Sequence, residues 1–103
     1  MTARERLPNR RLNESFEIFH SGVHFTVSAG RYQDGRMAEI FLSAERAGTP
    51  LEAIARDAAI LASIAFQHGV DLETIRSALT RDHADGPATA IGAALDAIAA
   101  GPR

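Results

Sequence analysis

The chain has no cysteine, no lysine and no tryptophan among its 103 residues. Without cysteine it has no disulfide, no thiol redox chemistry and no thiolate metal ligand. All eleven basic residues are arginine. That excludes a Schiff-base amine and a phosphate-loop lysine. No apolar run approaches the roughly 20 residues needed to span a bilayer, and no signal-peptide core opens the chain. The expected compartment is therefore the cytoplasm. A net charge of −2 argues against a protein that coats nucleic acid through bulk positive charge.

What is present is the composition of one globular domain, 46% hydrophobic and 23% charged. Its organising stretch is TPLEAIARDAAILASIAFQHG, residues 49–69. Thr49 fits an N-cap, Pro50 the first helical position and Glu52 the third position of a capping box. Gly69 is placed to end the helix in a left-handed conformation. Leu51, Ile54, Ala55, Ala58, Leu61, Ala62 and Ala65 recur at helical spacing, with Ile60 and Ile64 as a second stripe. The polar stripe is narrow: Glu52, Arg56, Ser63 and Gln67. The expectation is a core helix whose large aliphatics, Leu61 among them, face a sheet, each contributing roughly 1.5–3 kcal/mol.

Before that helix, residues 1–13 read as a flexible arginine-rich arm and residues 14–103 as a single domain. Two hairpins follow the arm. Ser21-Gly22 and Asp34-Gly35 are both primed-turn dipeptides. Two-residue loops at these points pair Phe19 with His24, Ile18 with Phe25 and Phe16 with Val27, then Tyr32 with Met37, Ala29 with Ile40 and Val27 with Leu42. The two registers sort one apolar face containing Phe16, Ile18, Phe25, Val27 and Ile40; a one-residue slip would destroy that sorting. The other face is mixed and carries Phe19, His24, Tyr32, Met37 and Phe41. After the central helix, Asp71 caps a second helix over 72–80, and a third runs from about 88 to 100. The predicted fold is α+β: a three-stranded antiparallel meander in the order 1-2-3, followed by three helices packed on one face.

Chemistry-bearing patterns are sparse. His20 and His24 flank the first turn on opposite faces and are poor co-ligands for a metal in one subunit. His68 suits a helix C-terminus. His83 lies between Asp82 and Asp85 in a polar loop. Asp57 falls on the Ile60–Ile64 stripe, where partial burial calls for an arginine partner. No metal, nucleotide or nucleophile-elbow signature is present, so neither a cofactor nor a metal is expected. Asp57 and His83 would be the first residues to test in an enzyme. The stronger candidates form an interaction surface: Phe19, His24, Tyr32, Met37 and Phe41 on the mixed face, with Arg10 and Arg11 from the arm. Free outer edges on strands one and three offer further pairing sites.

The segment DGRMAEIFLSAERAGTPLEAIARDAAILASIAFQHGVDLETIRSALTR, beginning at Asp34, resembles the TSCPD-type domain at the C-terminus of adenosylcobalamin-dependent ribonucleotide reductases and its small stand-alone relatives. The strand GRMAEIFL, the glycine-containing linker, the alanine-rich helix and GVDLETIRSAL carry the likeness. The family's naming motif contains a cysteine that this chain lacks, and the reductase barrel is absent. The resemblance implies a non-catalytic accessory or interaction domain, forming a homodimer through the open sheet face or edge, with a reductase or another protein as partner. The alternative readings are a nucleic-acid-binding module using the arginine arm and the aromatic face, and a small enzyme with an unrecognised site.

Overall fold

The structure, a computed structural model, describes residues 3–7, 12–82 and 86–101. Three strands, β1 (Leu12–His20), β2 (Val23–Arg31) and β3 (Met37–Ala44), form an antiparallel sheet in the order β1-β2-β3. Helices α1 (Pro50–Gln67) and α2 (Leu72–Ala78) follow. A two-residue ladder then pairs β4 (Arg81–Asp82) with β5 (Gly86–Pro87), and α3 (Ala90–Ala100) ends the fold. This is the expected α+β fold with one addition, the β4–β5 ladder.

The first hairpin adopts the expected register, pairing Phe19 with His24, Ile18 with Phe25 and Phe16 with Val27. Ser21 and Gly22 both have positive φ, 51° and 79°, as a type I′ turn requires. The second hairpin departs from expectation near its turn. The Gly35 amide donates to the Tyr32 carbonyl and the Tyr32 amide to the Arg36 carbonyl, both at 2.9 Å. The loop is therefore three residues long, ending on Gly35 at φ 93°. That shifts Met37 opposite Arg31, and a bulge at Gly30/Arg31 then restores Ala29–Ile40 and Val27–Leu42. Turn and bulge cancel in register, but they move the side chains between them. Met37 crosses into the core cluster.

Each helix begins with the cap its sequence offers. Thr49 Oγ1 accepts from the Glu52 amide at 3.1 Å, Asp71 Oδ1 from Thr74 at 2.8 Å, and Thr89 Oγ1 from Gly92 at 3.2 Å. At the end of α1, the Val70 amide bonds the Ala65 carbonyl and the Gly69 amide bonds Phe66. With Gly69 at φ 92°, this is a Schellman termination.

The core lies between the predicted apolar sheet face and the helices. Phe25, Val27, Ile40, Phe66 and Leu95 are its largest fully buried side chains. Helix α3 packs against β1 and α2, while α1 runs along β3. The expected orientation of α1 is overturned. Phe25 and Ile40 are buried, yet Leu61 is 69% exposed and Ile54 68% exposed. The residues α1 turns inward are Glu52, Ala55, Ala59, Ala62, Ser63, Phe66 and Gln67.

The edge of β3 explains this inversion. Outer-strand backbone groups must find partners when buried. Ser63 Oγ accepts from the Ile40 amide at 2.8 Å and lies 2.9 Å from the Ile40 carbonyl, while Gln67 Nε2 donates to the Ala38 carbonyl at 2.9 Å. One helical turn apart, these two side chains stand in for a fourth strand. Alanines between them allow the close approach. The expected free edge on β3 is thus closed at Ala38 and Ile40.

Candidate interaction surfaces

The open sheet face is built by alternate residues of the three strands. Phe19 and His24, paired across the first hairpin, contact ring to ring at 4.7 Å with planes tilted 52°. Phe41 stands opposite Ser28 on the neighbouring pair. Phe19 and Phe41 are 64% and 52% exposed. Between them the face is polar: Glu39 lies over Gly30, where a Cβ would come 2.8 Å from its carboxylate. A shallow depression of about 320 Å³ is lined here by Asn13, Ser15, Ser28, Glu39 and Phe41.

Two residues expected to be exposed on this face are buried. Tyr32 and Met37 are 4% and 5% exposed: Met37 has joined the core cluster, and Tyr32, outside that cluster, is covered by Glu5 and Arg36. The Tyr32 hydroxyl donates to the Glu5 carbonyl at 3.2 Å, and the Arg36 guanidinium stacks 4.7 Å from its ring centre. Burial, with the Glu5 charge behind it, raises the Tyr32 phenol above its ordinary value. Arg36 in turn forms a two-pronged ion pair with Glu5 and a 2.7 Å bond to Asp34. The Glu5 amide and the Arg4 guanidinium both bond Gln67, at its carbonyl and its side-chain oxygen. Residues 4 and 5 are therefore tied to the second hairpin and to the end of α1, and β1 begins at Leu12. Arg10 and Arg11 lie outside the described residues, as do His83 and Asp85.

The second surface is the outer side of α1. Leu51, Ile54, Ile60, Leu61 and Ile64 are all exposed there. Asp57 sits among them, itself exposed rather than partly buried as its stripe suggested, because the whole stripe faces outward. Beside Leu51 and Ile54, a groove of about 190 Å³ runs between α1 and α3, floored by Phe25, Ala58 and Ile91. Sequence reasoning found the periodicity of these side chains but assigned them to the core.

Polar groups elsewhere are occupied in holding elements together. Asp96 on α3 accepts from Arg76 on α2 at 2.9 Å and from Arg81 on β4 at 2.7 Å. Its carboxyl is held below the usual range, chiefly by the Arg81 bond. His20 Nε2 donates to the Pro87 carbonyl at 3.1 Å, and His68 Nδ1 to the Ile64 carbonyl at 2.9 Å. Glu52 is buried and pairs with Arg56 at 3.3 Å, one oxygen making no hydrogen bond. Among the described residues, no three metal-binding side chains converge, and no helix is long and apolar enough to cross a membrane.

The TSCPD domain family matches residues 2–100. The chain belongs to the TSCPD domain family. Similar proteins include three vitamin B12-dependent ribonucleotide reductases. That of Bradyrhizobium diazoefficiens is 32% identical over 80 residues, 78% of this chain and 6% of the reductase. That of Agrobacterium fabrum is 35% identical over 77 residues, 75% of this chain and 6% of the reductase. That of Rhodopirellula baltica is 35% identical over 72 residues, 70% of this chain and 7% of the reductase. This TSCPD chain therefore spans a small fraction of the length of those relatives. No solved structure matches it.

Proposed function

We propose that this TSCPD chain is a non-catalytic accessory domain that works by binding protein, and that a vitamin B12-dependent ribonucleotide reductase is its partner. The observation that carries this reading is the open sheet face, where Phe19 and Phe41 are 64% and 52% exposed. Exposed aromatic side chains on one sheet face present a surface suited to another protein. His24, ring to ring with Phe19, belongs to the same contact region. Asp96, Arg36 and Asp71 are engaged in ion pairs and a helix cap and do not converge on a cleft, which favours binding over chemistry. The similarity to reductases over most of this chain supplies the partner class, and such a partner would place the chain in the cytoplasm.

The test is calorimetric titration of the purified chain into a purified B12-dependent reductase. A saturable, stoichiometric complex is expected, weakened at least tenfold by Phe41→Glu with folding unchanged by circular dichroism. Absence of heat and of co-elution at concentrations up to about 100 µM, where any contact would be weaker than about 5.5 kcal/mol, refutes the partner assignment.

A further inference from the structure

We propose that the outer face of α1 is covered by a second copy of this chain, with the two α1 helices packed antiparallel. The inference concerns the chain alone and stands whether or not a reductase binds it. Leu51, Ile54, Leu61 and Ile64, with Ala58, Ala65 and His68 between them, make a patch on the order of 500 Å². Meeting its own copy, such a patch buries on the order of 1,000 Å² in total, the lower bound for a specific contact.

The spacing selects the occupant. Leu51, Ile54, Ala58, Leu61, Ala65 and His68 are separated by three, four, three, four and three residues, a seam of the coiled-coil kind. None of the six is among the buried side chains that form the core. Along this seam Leu61 is large and exposed, whereas Ala58 and Ala65 are small. Running two such helices antiparallel about a twofold axis sets Leu61 against Ala58 of the second copy and Ile54 against Ala65 of the second copy. Leu61 and Ile54 then each meet an alanine, the interdigitation that close packing requires, and Leu51 meets His68 at each end of the seam. A parallel pairing would stack Leu61 on Leu61 and leave a gap at Ala58. The two Asp57 carboxylates, which flank the seam, end up offset along the axis by five residues, about 7.5 Å at helical rise, so neither faces the other directly. The groove beside Leu51 and Ile54 leaves room at the rim for the partner helix's side chains.

The absence of native cysteine makes the register directly readable. Ile54→Cys and Ala65→Cys chains are mixed and oxidised, and the product masses are compared with each variant oxidised alone. The antiparallel seam yields the mixed 54–65 disulfide and little 54–54 product, since those two positions lie about 16 Å apart along the axis and a disulfide spans less than 7 Å between Cα atoms. Light scattering of the unsubstituted protein gives twice 11.0 kDa. Leu61→Asp raises the dissociation constant at least tenfold while retaining the helical spectrum, and Phe41→Glu leaves it unchanged. A monomer at all concentrations up to about 1 mM, a dimer indifferent to Leu61→Asp, or predominant 54–54 linkage overturns the proposal.

Discussion

Replacing Ser63 with alanine separates two ways of reading α1. If the helix were a core rod with a solvated polar stripe, the substitution would trade a moderate helix former for the best one and gain up to about 0.5 kcal/mol. In the structure it instead strands the Ile40 amide. Ile40 is fully buried and Ser63 nearly so, so water cannot take the place of the hydroxyl. An orphaned buried donor costs about 1–3 kcal/mol. After the propensity gain, the net loss is about 1.5 kcal/mol. For a domain of this size that is a fall in Tm of about 6–12 °C, or about 1.5 M in the urea midpoint at a slope near 1 kcal/mol per M. The matched control is Leu61→Gln, measured in solution dilute enough to hold only monomer. A core leucine would cost about 2–5 kcal/mol on truncation, whereas an exposed one costs within about 0.5 kcal/mol. Urea unfolding followed by far-ultraviolet circular dichroism reads both. Ser63→Ala at or above the parent midpoint, with Leu61→Gln strongly destabilised, would refute the inverted orientation.

Two further outcomes follow from the same geometry. Tyr32 is the only tyrosine, so absorbance at 295 nm reports its ionisation alone. Its phenol is raised first by burial and then by Glu5, so Glu5→Ala should lower its titration midpoint. Because the folded value lies above the unfolded one, the associated stability is complete below about pH 10 and is lost as pH rises through the folded value. An unchanged midpoint in Glu5→Ala would remove the arm from its place over the ring. Separately, Gly92→Ala should destabilise by about 1–3 kcal/mol, against the usual helix gain of about 1 kcal/mol. The added Cβ would fall 2.9 Å from the Pro87 ring, and a rise in Tm would contradict that contact.

Much of the fold was legible because local chemistry and global pattern agree. Ser21-Gly22 fixed the first hairpin, and the alternation of Phe16, Ile18, Phe25 and Val27 left no second register. Thr49, Asp71 and Gly69 marked helix ends by side-chain chemistry that acts within four residues. The orientation of α1 was not legible for a different reason. Periodicity tells which side chains share a face but not which face turns inward, and here the decision belongs to the backbone of β3. Ser63 and Gln67 look like a solvated stripe until a strand edge is placed beside them. The burial of Tyr32 and Met37 was hidden likewise. Asp34-Gly35 is compatible with a two- or a three-residue loop, and only the compensating bulge shows which was taken. Of the expected sheet-face residues Phe19, His24 and Phe41 are exposed, while the outer face of α1 emerged only from packing.

The closed margin of β3 also bears on how copies of this molecule can aggregate. Growth of a fibril by strand addition needs two open borders on each building block, one to accept and one to offer. Here a helix has already taken one of them through Ser63 and Gln67. Addition of a further strand beside β3 is therefore blocked where the helix sits, a limit written into a serine and a glutamine.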